Sequence, residues 1–241
     1  MKKELRDMGF YKIWSLRLFI MVPAFSFLSS LLGALTEAAS NAPNQESGLG
    51  QALNACITVF VIAAYALTFI AFGYENKSYF IKTGKKNRFN SFLRYYAVAS
   101  VFFALILSGL VFLINVQIYA LMGETNPEAD ILGPLVNIIS VIFYIYNVYA
   151  IYAVKWFFNK KHTPLSRYLA AIMAGTVALH SILKIAVNVI ALNGSLPSKA
   201  LTVLSSAFSY AVYLAIFAFF FIRYKQTPKQ PVNIKKDNSK S

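Results

Sequence analysis

Six long apolar stretches dominate the chain, and short polar segments separate them. The stretches cover residues 13–35, 52–74, 92–122, 131–154, 168–192 and 201–222. A helix needs about 20 apolar residues to cross the ~30 Å hydrocarbon core of a bilayer, and each stretch reaches that length. Inside lipid the backbone must satisfy its own hydrogen bonds, so each stretch is expected to be helical. The pattern predicts an all-α fold: a polytopic integral membrane bundle with six transmembrane helices.

The spans leave no room for a soluble domain of useful size. We expect residues 1–224 to form a single membrane domain, followed by a basic cytoplasmic tail at 225–241. The tail is polar and rich in lysine, which favours disorder. Composition agrees with this division, because 58% of the 241 residues are hydrophobic and only 13% are charged. Soluble domains carry about a quarter charged residues.

Basic residues cluster at alternate ends of the spans. All but two of the 23 Lys and Arg residues lie in or beside the N-terminal segment, the second and fourth connections, or the C-terminal tail; the two exceptions are Lys184 and Lys199. The positive-inside rule therefore predicts that both the N- and C-termini are cytoplasmic. This topology and contact with anionic lipid at the cytoplasmic face account for the net charge of +14. No nucleic-acid partner is expected.

Lys184 is the one formal charge in the middle of a predicted span, and no acid is expected within any span. At 1.5 Å per residue it lies about 12 Å from the outer end of the fifth stretch. His180 comes one helical turn before it and Asn188 one turn after, so the three side chains share a face. A charge near the membrane centre costs about 2.5–3.5 kcal/mol on insertion scales, and such residues usually serve a function or a partner.

The fourth stretch carries four polar residues at near-helical spacing: Asn137, Ser140, Tyr144 and Asn147. A polar stripe on a membrane helix faces other helices, where it serves packing or lines a cavity. Because a short loop joins the fourth and fifth stretches, we expect them to be antiparallel neighbours, with Asn137 and Ser140 opposite Lys184 and Asn188. The residues predicted to line a polar cavity are His180, Lys184, Asn188, Asn137, Ser140, Tyr144 and Asn147.

Three roles for Lys184 stay open at this stage. In the first, it forms a structural ion pair with Glu37 or Asp130 at the outer rim. In the second, it binds an anionic group such as a lipid phosphate or a carboxylate. In the third, it pairs with an acid on another subunit. The first is a purely structural role, and the second fits a membrane protein that handles a small solute or lipid in its polar cavity. The third fits a non-catalytic accessory or assembly subunit, with a membrane protein partner or a second copy of itself.

No catalytic, cofactor-binding or metal-ligating residues are predicted. The single cysteine, Cys56, excludes an internal disulfide and a thiolate metal cluster. No Ser or Cys within a span lies one helical turn from a histidine on the same stretch, and Walker, Rossmann and HExxH patterns are absent. We therefore expect that the protein is not an enzyme and uses no cofactor.

The segment that follows the fourth stretch carries a resemblance to a known family. Residues 156–164 read Trp-Phe-Phe-Asn-Lys-Lys-His-Thr-Pro and are followed by Arg167-Tyr168 and a new span. This segment resembles a family of small uncharacterised bacterial inner-membrane proteins, in which a helix ends in Phe-Phe-x-Lys-Lys/Arg and a proline precedes the next helix. The resemblance implies a multi-pass protein of the bacterial plasma membrane and carries over no functional residues. The family usually has four spans, against six predicted here.

Overall fold

The computed structural model describes residues 2–40, 47–122, 129–159, 162–193 and 195–227. In these ranges the chain forms seven α-helices: α1 Lys2–Ser40, α2 Ser47–Thr83, α3 Arg88–Met122, α4 Ala129–Ser140, α5 Ile145–Phe158, α6 Pro164–Leu192 and α7 Lys199–Gln226. A short 3₁₀ turn, Val141–Phe143, connects α4 to α5. The described part of the chain is thus all-α, as predicted.

Six helical segments within the described ranges are long and apolar enough to cross a membrane. They are Asp7–Leu35, Ala55–Thr83, Arg88–Leu107, Gly133–Phe158, Pro164–Leu192 and Lys199–Gln226. Large apolar side chains cover their outer faces, with Phe102 61%, Ile182 61% and Leu214 68% exposed, as expected of surfaces that face lipid. The prediction of six spans is confirmed, and the chain is a multi-pass membrane protein.

Local sequence determines where several helices begin and end. Gly84 terminates α2 with φ +69°, and its N–H donates to the carbonyl of Phe80 at 2.8 Å; glycine adopts this left-handed conformation at no steric cost. The Thr163 hydroxyl accepts from the Ser166 N–H at the start of α6, where Pro164 is the first helical residue. A backbone N–H at this position would have no intrahelical acceptor, so proline, which lacks an N–H, is favoured there.

The helices pack in a closed order around the bundle: α1 contacts α2 and α7, α3 follows α2, the α4–α5 pair lies between α3 and α6, and α6 contacts α7. We call "the basic end" the end at which α1, α3 and α6 begin and α2, α5 and α7 finish. The half of the bundle nearest this end contains a ring-rich core. The ring centroid of Phe19 lies 4.8 Å from that of Phe72 and 4.4 Å from that of Phe220, and all three side chains are fully buried.

Two features differ from the sequence prediction. The fourth stretch, 131–154, is two helices separated by the turn at 141–143. Helix α7 continues to Gln226, so the predicted tail begins with helical residues. Residues 228–241, the rest of that tail, lie outside the described residues.

Candidate functional site

The fourth span is interrupted at its middle. After α4 the backbone tightens into the 3₁₀ turn, and Tyr144 is extended with φ −64° and ψ 137° before α5 begins. The interruption deprives the carbonyls of the turn of regular helical partners. In a membrane such carbonyls must find other donors or line a cavity, and broken helices of this kind form the binding sites of many transporters.

Donors from three helices bond the carbonyls of the turn. The Tyr65 hydroxyl of α2 donates to the last carbonyl at 3.0 Å. The Asn147 amide of α5 donates to the first two carbonyls at 2.7 and 2.9 Å. The Tyr96 hydroxyl of α3 donates to the second carbonyl as well. The break is therefore held by specific side chains, which is the property of a built site rather than of a frayed helix.

A buried polar cluster lies beside the break, and we call it the aromatic polar site. It comprises Ser30 of α1, Tyr144, Tyr146, His180 of α6 and Tyr213 of α7. The Tyr213 hydroxyl lies 2.8 Å from the hydroxyl of Ser30 and 3.2 Å from that of Tyr146. The His180 ring contacts Tyr146 edge to face at 5.6 Å between centroids, with Tyr144 at 6.3 Å.

His180 is the most enclosed polar residue of this site. Its side chain is 1% exposed, and its Nδ1 atom has no hydrogen-bond partner among the described residues. A buried ring nitrogen without a partner costs free energy, so a ligand that bonded this atom would recover it. His180 is thus the point of the site best suited to meet a ligand.

The structure also brings together predicted cavity residues of α4 and α6. The Asn137 amide of α4 donates to Asn188 of α6 at 3.3 Å, and the Ser140 hydroxyl donates to the backbone carbonyl of Asn137 at 2.9 Å. Asn188 also donates to the backbone carbonyl of Lys184 at 2.7 Å. Of the seven predicted residues, four flank the break (Ser140, Tyr144, Asn147 and His180), whereas Asn137, Lys184 and Asn188 lie toward the far end of α6.

Lys184 is half-buried on α6, one turn beyond His180. Its ammonium group has no hydrogen bond or ion pair to the residues that the structure describes. The side chains of Glu37 and Asp130, its predicted ion-pair partners, lie outside the described residues. The three roles predicted for Lys184 therefore all remain open.

Sequence analysis missed a second cluster, at the basic end, which we call the Glu75 cluster: Lys12, Glu75, Tyr152 and Arg223. One oxygen of Glu75 accepts from Arg223 at 3.3 Å, from Lys12 at 3.3 Å and from the Tyr152 hydroxyl at 2.8 Å. Arg223 also donates to the Tyr152 oxygen at 2.7 Å. A single carboxylate thereby joins α1, α2, α5 and α7.

Two expectations about these charges are wrong. Glu75 lies within a spanning segment, Ala55–Thr83, although no acid was expected in a span. Arg223 was assigned to the basic flank of the tail, but it is on α7 and 4% exposed, with Glu75 at 8%. The physical reason is that α2 and α7 continue past their apolar stretches, so these charges still face neighbouring helices. The signal in the sequence was a lone acid directly after an apolar stretch and surrounded by cations.

Trp156 extends the Glu75 cluster toward the surface of the basic end. The Arg223 guanidinium lies 3.8 Å from its ring centroid, and the His162 ring stacks on it at 3.5 Å and 2°. Two groups this close to one centroid occupy opposite faces of the indole. Burial and the positive charges of Arg223 and Lys12 lower the pKa of His162. These surroundings favour the neutral form of the His162 imidazole.

The two clusters differ in chemistry. The aromatic polar site offers hydroxyl groups, an imidazole nitrogen and the nearby Lys184 ammonium, and none of its members is an acid. Such a set suits a ligand rich in hydrogen-bond acceptors. The Glu75 cluster instead pairs one carboxylate with two cations, and the second oxygen of that carboxylate, Oε2, is buried without a described hydrogen-bond partner. No group of three or more His, Cys, Asp or Glu residues that could hold a metal ion occurs among the described residues.

The comparisons with known proteins provide no relative. A scan against protein-family models, a search of curated proteins and a search of solved structures find no match to this chain. The family resemblance of segment 156–164 therefore stays a prediction. Functional inference rests on the chain's own geometry.

Proposed function

We propose that this protein binds a small anionic solute, or the anionic part of a lipid, within the membrane at the aromatic polar site and carries it across part of the bilayer. The observation that carries this proposal is the break in the fourth span beside His180. The span is interrupted, and Tyr65, Tyr96 and Asn147 hold the interruption. A buried imidazole nitrogen without a described partner lies beside it. Interrupted spans with such flanking groups form the binding sites of many transporters.

The preference for an anion follows from the charges near the site. Lys184 lies one helical turn from His180, and its ammonium has no partner among the described residues. Tyrosine hydroxyls and an ammonium donate hydrogen bonds to carboxylate or phosphate oxygens. A ligand of this class would neutralise a cation whose presence at membrane depth is otherwise costly. The proposed role involves binding and passage and contains no chemical step.

We further propose that the protein resides in a bacterial plasma membrane with both termini in the cytoplasm. The distribution of Lys and Arg supports this orientation. Single cysteines introduced at Lys85 and Ser195 into a Cys56→Ser background would test it with a membrane-impermeant maleimide. We expect intact cells to label the Ser195→Cys variant and not the Lys85→Cys variant. The reverse pattern would invert the topology.

Native mass spectrometry of the protein gently extracted with its lipids tests the binding proposal. Wild type is compared with Lys184→Met, with His180→Phe and with the control Lys199→Met, which removes an exposed cation from the same end of the bundle. We expect wild type and the control to retain an anionic small molecule or lipid that both site variants lose. Bare protein in every sample would refute the proposal.

The same experiment identifies the alternative function. If wild type carries a second membrane protein, and Lys184→Met alone loses it while still folding, Lys184 pairs with an acid on that partner. The protein would then be a non-catalytic accessory or assembly subunit. A Lys184→Met variant that fails to fold would instead indicate a structural ion pair.

A further inference from the structure

A basic groove opens at the turn between α2 and α3, at the end of the bundle opposite Lys184. Its volume is about 820 Å³, and its lining residues are Lys85, Lys86, Arg88, Ser91, Phe92 and Tyr95. None of the lining residues is an acid. The groove therefore combines three cations with two aromatic rings at the predicted cytoplasmic face of the membrane.

The cations of this groove differ from several others at the basic end, because no described residue bonds their charged groups. Lys12 and Arg223 bond Glu75, Lys155 lies 3.8 Å from the ring centroid of Phe89, and Arg167 donates to a backbone carbonyl at 2.9 Å. In contrast, the side-chain charges of the three lining cations have no hydrogen bond, ion pair or ring contact with the residues that the structure describes. The fold leaves this set available to an external anion.

The turn that carries these cations is held in shape by hydrogen bonds. Asn76 of α2 accepts from the Asn87 N–H at 2.9 Å and donates to the Ser91 hydroxyl at 2.8 Å. The Asn87 side chain in turn accepts from the Asn90 N–H at 3.3 Å at the start of α3. Because the turn is fixed before a ligand arrives, binding requires little further ordering of the backbone.

The spacing of cations and aromatic rings along α3 matches the depth difference between the charged headgroup layer of a membrane and the interfacial layer beneath it. Tyr95 lies seven residues beyond Arg88, about 10 Å deeper at 1.5 Å per residue. Phe92 and Tyr95 are 53% and 66% exposed, as are the interfacial aromatic residues of membrane proteins. Arginine and lysine at the outer layer suit a phosphate, to which the guanidinium can donate two parallel hydrogen bonds.

From this arrangement we propose that the groove is a binding site for the phosphate headgroup of an anionic phospholipid, with Phe92 and Tyr95 against the glycerol and upper acyl region. The site is separate from the aromatic polar site and does not depend on the function proposed for it. Lipid bound here would hold the α2–α3 hairpin at the cytoplasmic surface.

The test is a titration of phosphatidylglycerol into the purified protein, followed by native mass spectrometry, with phosphatidylcholine as the zwitterionic comparison. Lys85→Gln/Lys86→Gln is compared with Lys82→Gln/Lys225→Gln, which removes the same charge from the basic end but leaves the groove intact. Each juxtamembrane cation adds about 1 kcal/mol to binding of anionic lipid, so the groove variant should weaken the first phosphatidylglycerol by roughly tenfold or more. The control cations do not line the groove and are screened by salt, so their loss should change binding of the first phosphatidylglycerol less than about threefold.

Two further variants and one competitor complete the test. Arg88→Gln should weaken phosphatidylglycerol and leave phosphatidylcholine unchanged, whereas Tyr95→Ala should weaken both lipids, because they share the glycerol and acyl region. Equal losses in the groove variant and the control would overturn the proposal, since they would indicate diffuse attraction to the whole basic end. Displacement of the lipid by millimolar inorganic phosphate would also overturn it and would reassign the groove to a free anion. A bound molecule that is lost only in the Lys184→Met variant belongs to the aromatic polar site and is counted separately.

Discussion

Neutralising Glu75 should destabilise the fold more than any other single change in the Glu75 cluster. The substitution Glu75→Gln keeps the shape of the side chain but removes the charge shared by Arg223 and Lys12. Each cation lies 3.3 Å from the same oxygen. At an effective dielectric constant near 20, one such pair amounts to about 5 kcal/mol before desolvation is subtracted.

The order of the variants follows from burial. Arg223 is 4% exposed, and removal of one partner from a buried pair costs about 3–5 kcal/mol. Lys12 is 33% exposed, and pairs with solvent contact are worth only about 1 kcal/mol. Glu75→Gln leaves both cations without their anion, so it should cost the most. Arg223→Met should come next, at about 3 kcal/mol, and Lys12→Met should cost about 1 kcal/mol.

Unfolding in mixed micelles can measure this order. Trp156 contacts Arg223, so its fluorescence reports on the cluster, and a Trp14→Phe background removes the other tryptophan. Lys225→Met is the matched control, because this exposed cation lies two residues after Arg223; it should change stability by less than about 0.5 kcal/mol.

A double variant decides whether the charges act as a pair. Glu75→Met/Arg223→Met replaces both ends by apolar groups of similar length and should cost at least about 2 kcal/mol less than the sum of the costs of Glu75→Met and Arg223→Met. Additive costs, or a Lys12 variant as damaging as the Glu75 variant, would refute the assignment of Glu75 as the shared anion.

Two other predictions concern single contacts. Tyr65→Phe removes the tyrosine donor of the Phe143 carbonyl in the broken span, so it should lower the free energy of unfolding by about 1–3 kcal/mol in the same micelles. Tyr96→Phe should cost less, about 0.5–1.5 kcal/mol, because Asn147 still donates to the Ile142 carbonyl. Tyr95→Phe, on an exposed side chain, should be neutral. Because the pKa of His162 is lowered in the folded state, the unfolded chain binds the proton more readily. The contribution of His162 is therefore fully present above about pH 6.5 and is lost as the pH falls through the lowered value. His162→Phe should keep the stack on Trp156 and flatten that dependence; an unchanged pH profile would contradict it.

The spans and the general location of the cavity are readable from the sequence, because both depend on periodic patterns. Apolar length alone predicts six spanning helices, and short connections predict that the fourth and fifth spans are neighbours. The hydrogen bond between Asn137 and Asn188 shows that polar spacing on two helices joined by a short loop can place side chains together.

The Glu75 cluster was missed because the spans were bounded by hydropathy, which assigned the charges beside each apolar stretch to the connecting segments. Glu75 directly follows an apolar stretch, and Arg223 directly follows another. Hydropathy ends a span where the first charge occurs, whereas the helices continue through Thr83 and Gln226. Glu75 and Arg223 are far apart in the sequence and pair only because the folded bundle brings their side chains together. No local sequence pattern predicts that contact.

The break in the fourth span was missed for a related reason. The turn at 141–143 reads Val-Ile-Phe and contains neither glycine nor proline, which are the usual causes of a sharp interruption. The interruption is stable because Asn147 of the same span and Tyr65 and Tyr96 of two other helices supply donors to its carbonyls. The tyrosines reach the turn only in the folded bundle, and a single asparagine after the turn does not by itself indicate a break.

The positions of the two clusters bear on how a ligand reaches the aromatic polar site. Toward the basic end, the ring-rich core around Phe19 and the charge-bonded Glu75 cluster tie four helices together. On the other side, Lys184 and Asn188 are half-buried, and among the side chains that the structure describes a single amide hydrogen bond, at 3.3 Å, joins Asn188 to α4. Segments with fewer buried contacts open at lower free energy. We therefore expect the site to open first toward Lys184, so that an anion meets this cation before it reaches His180.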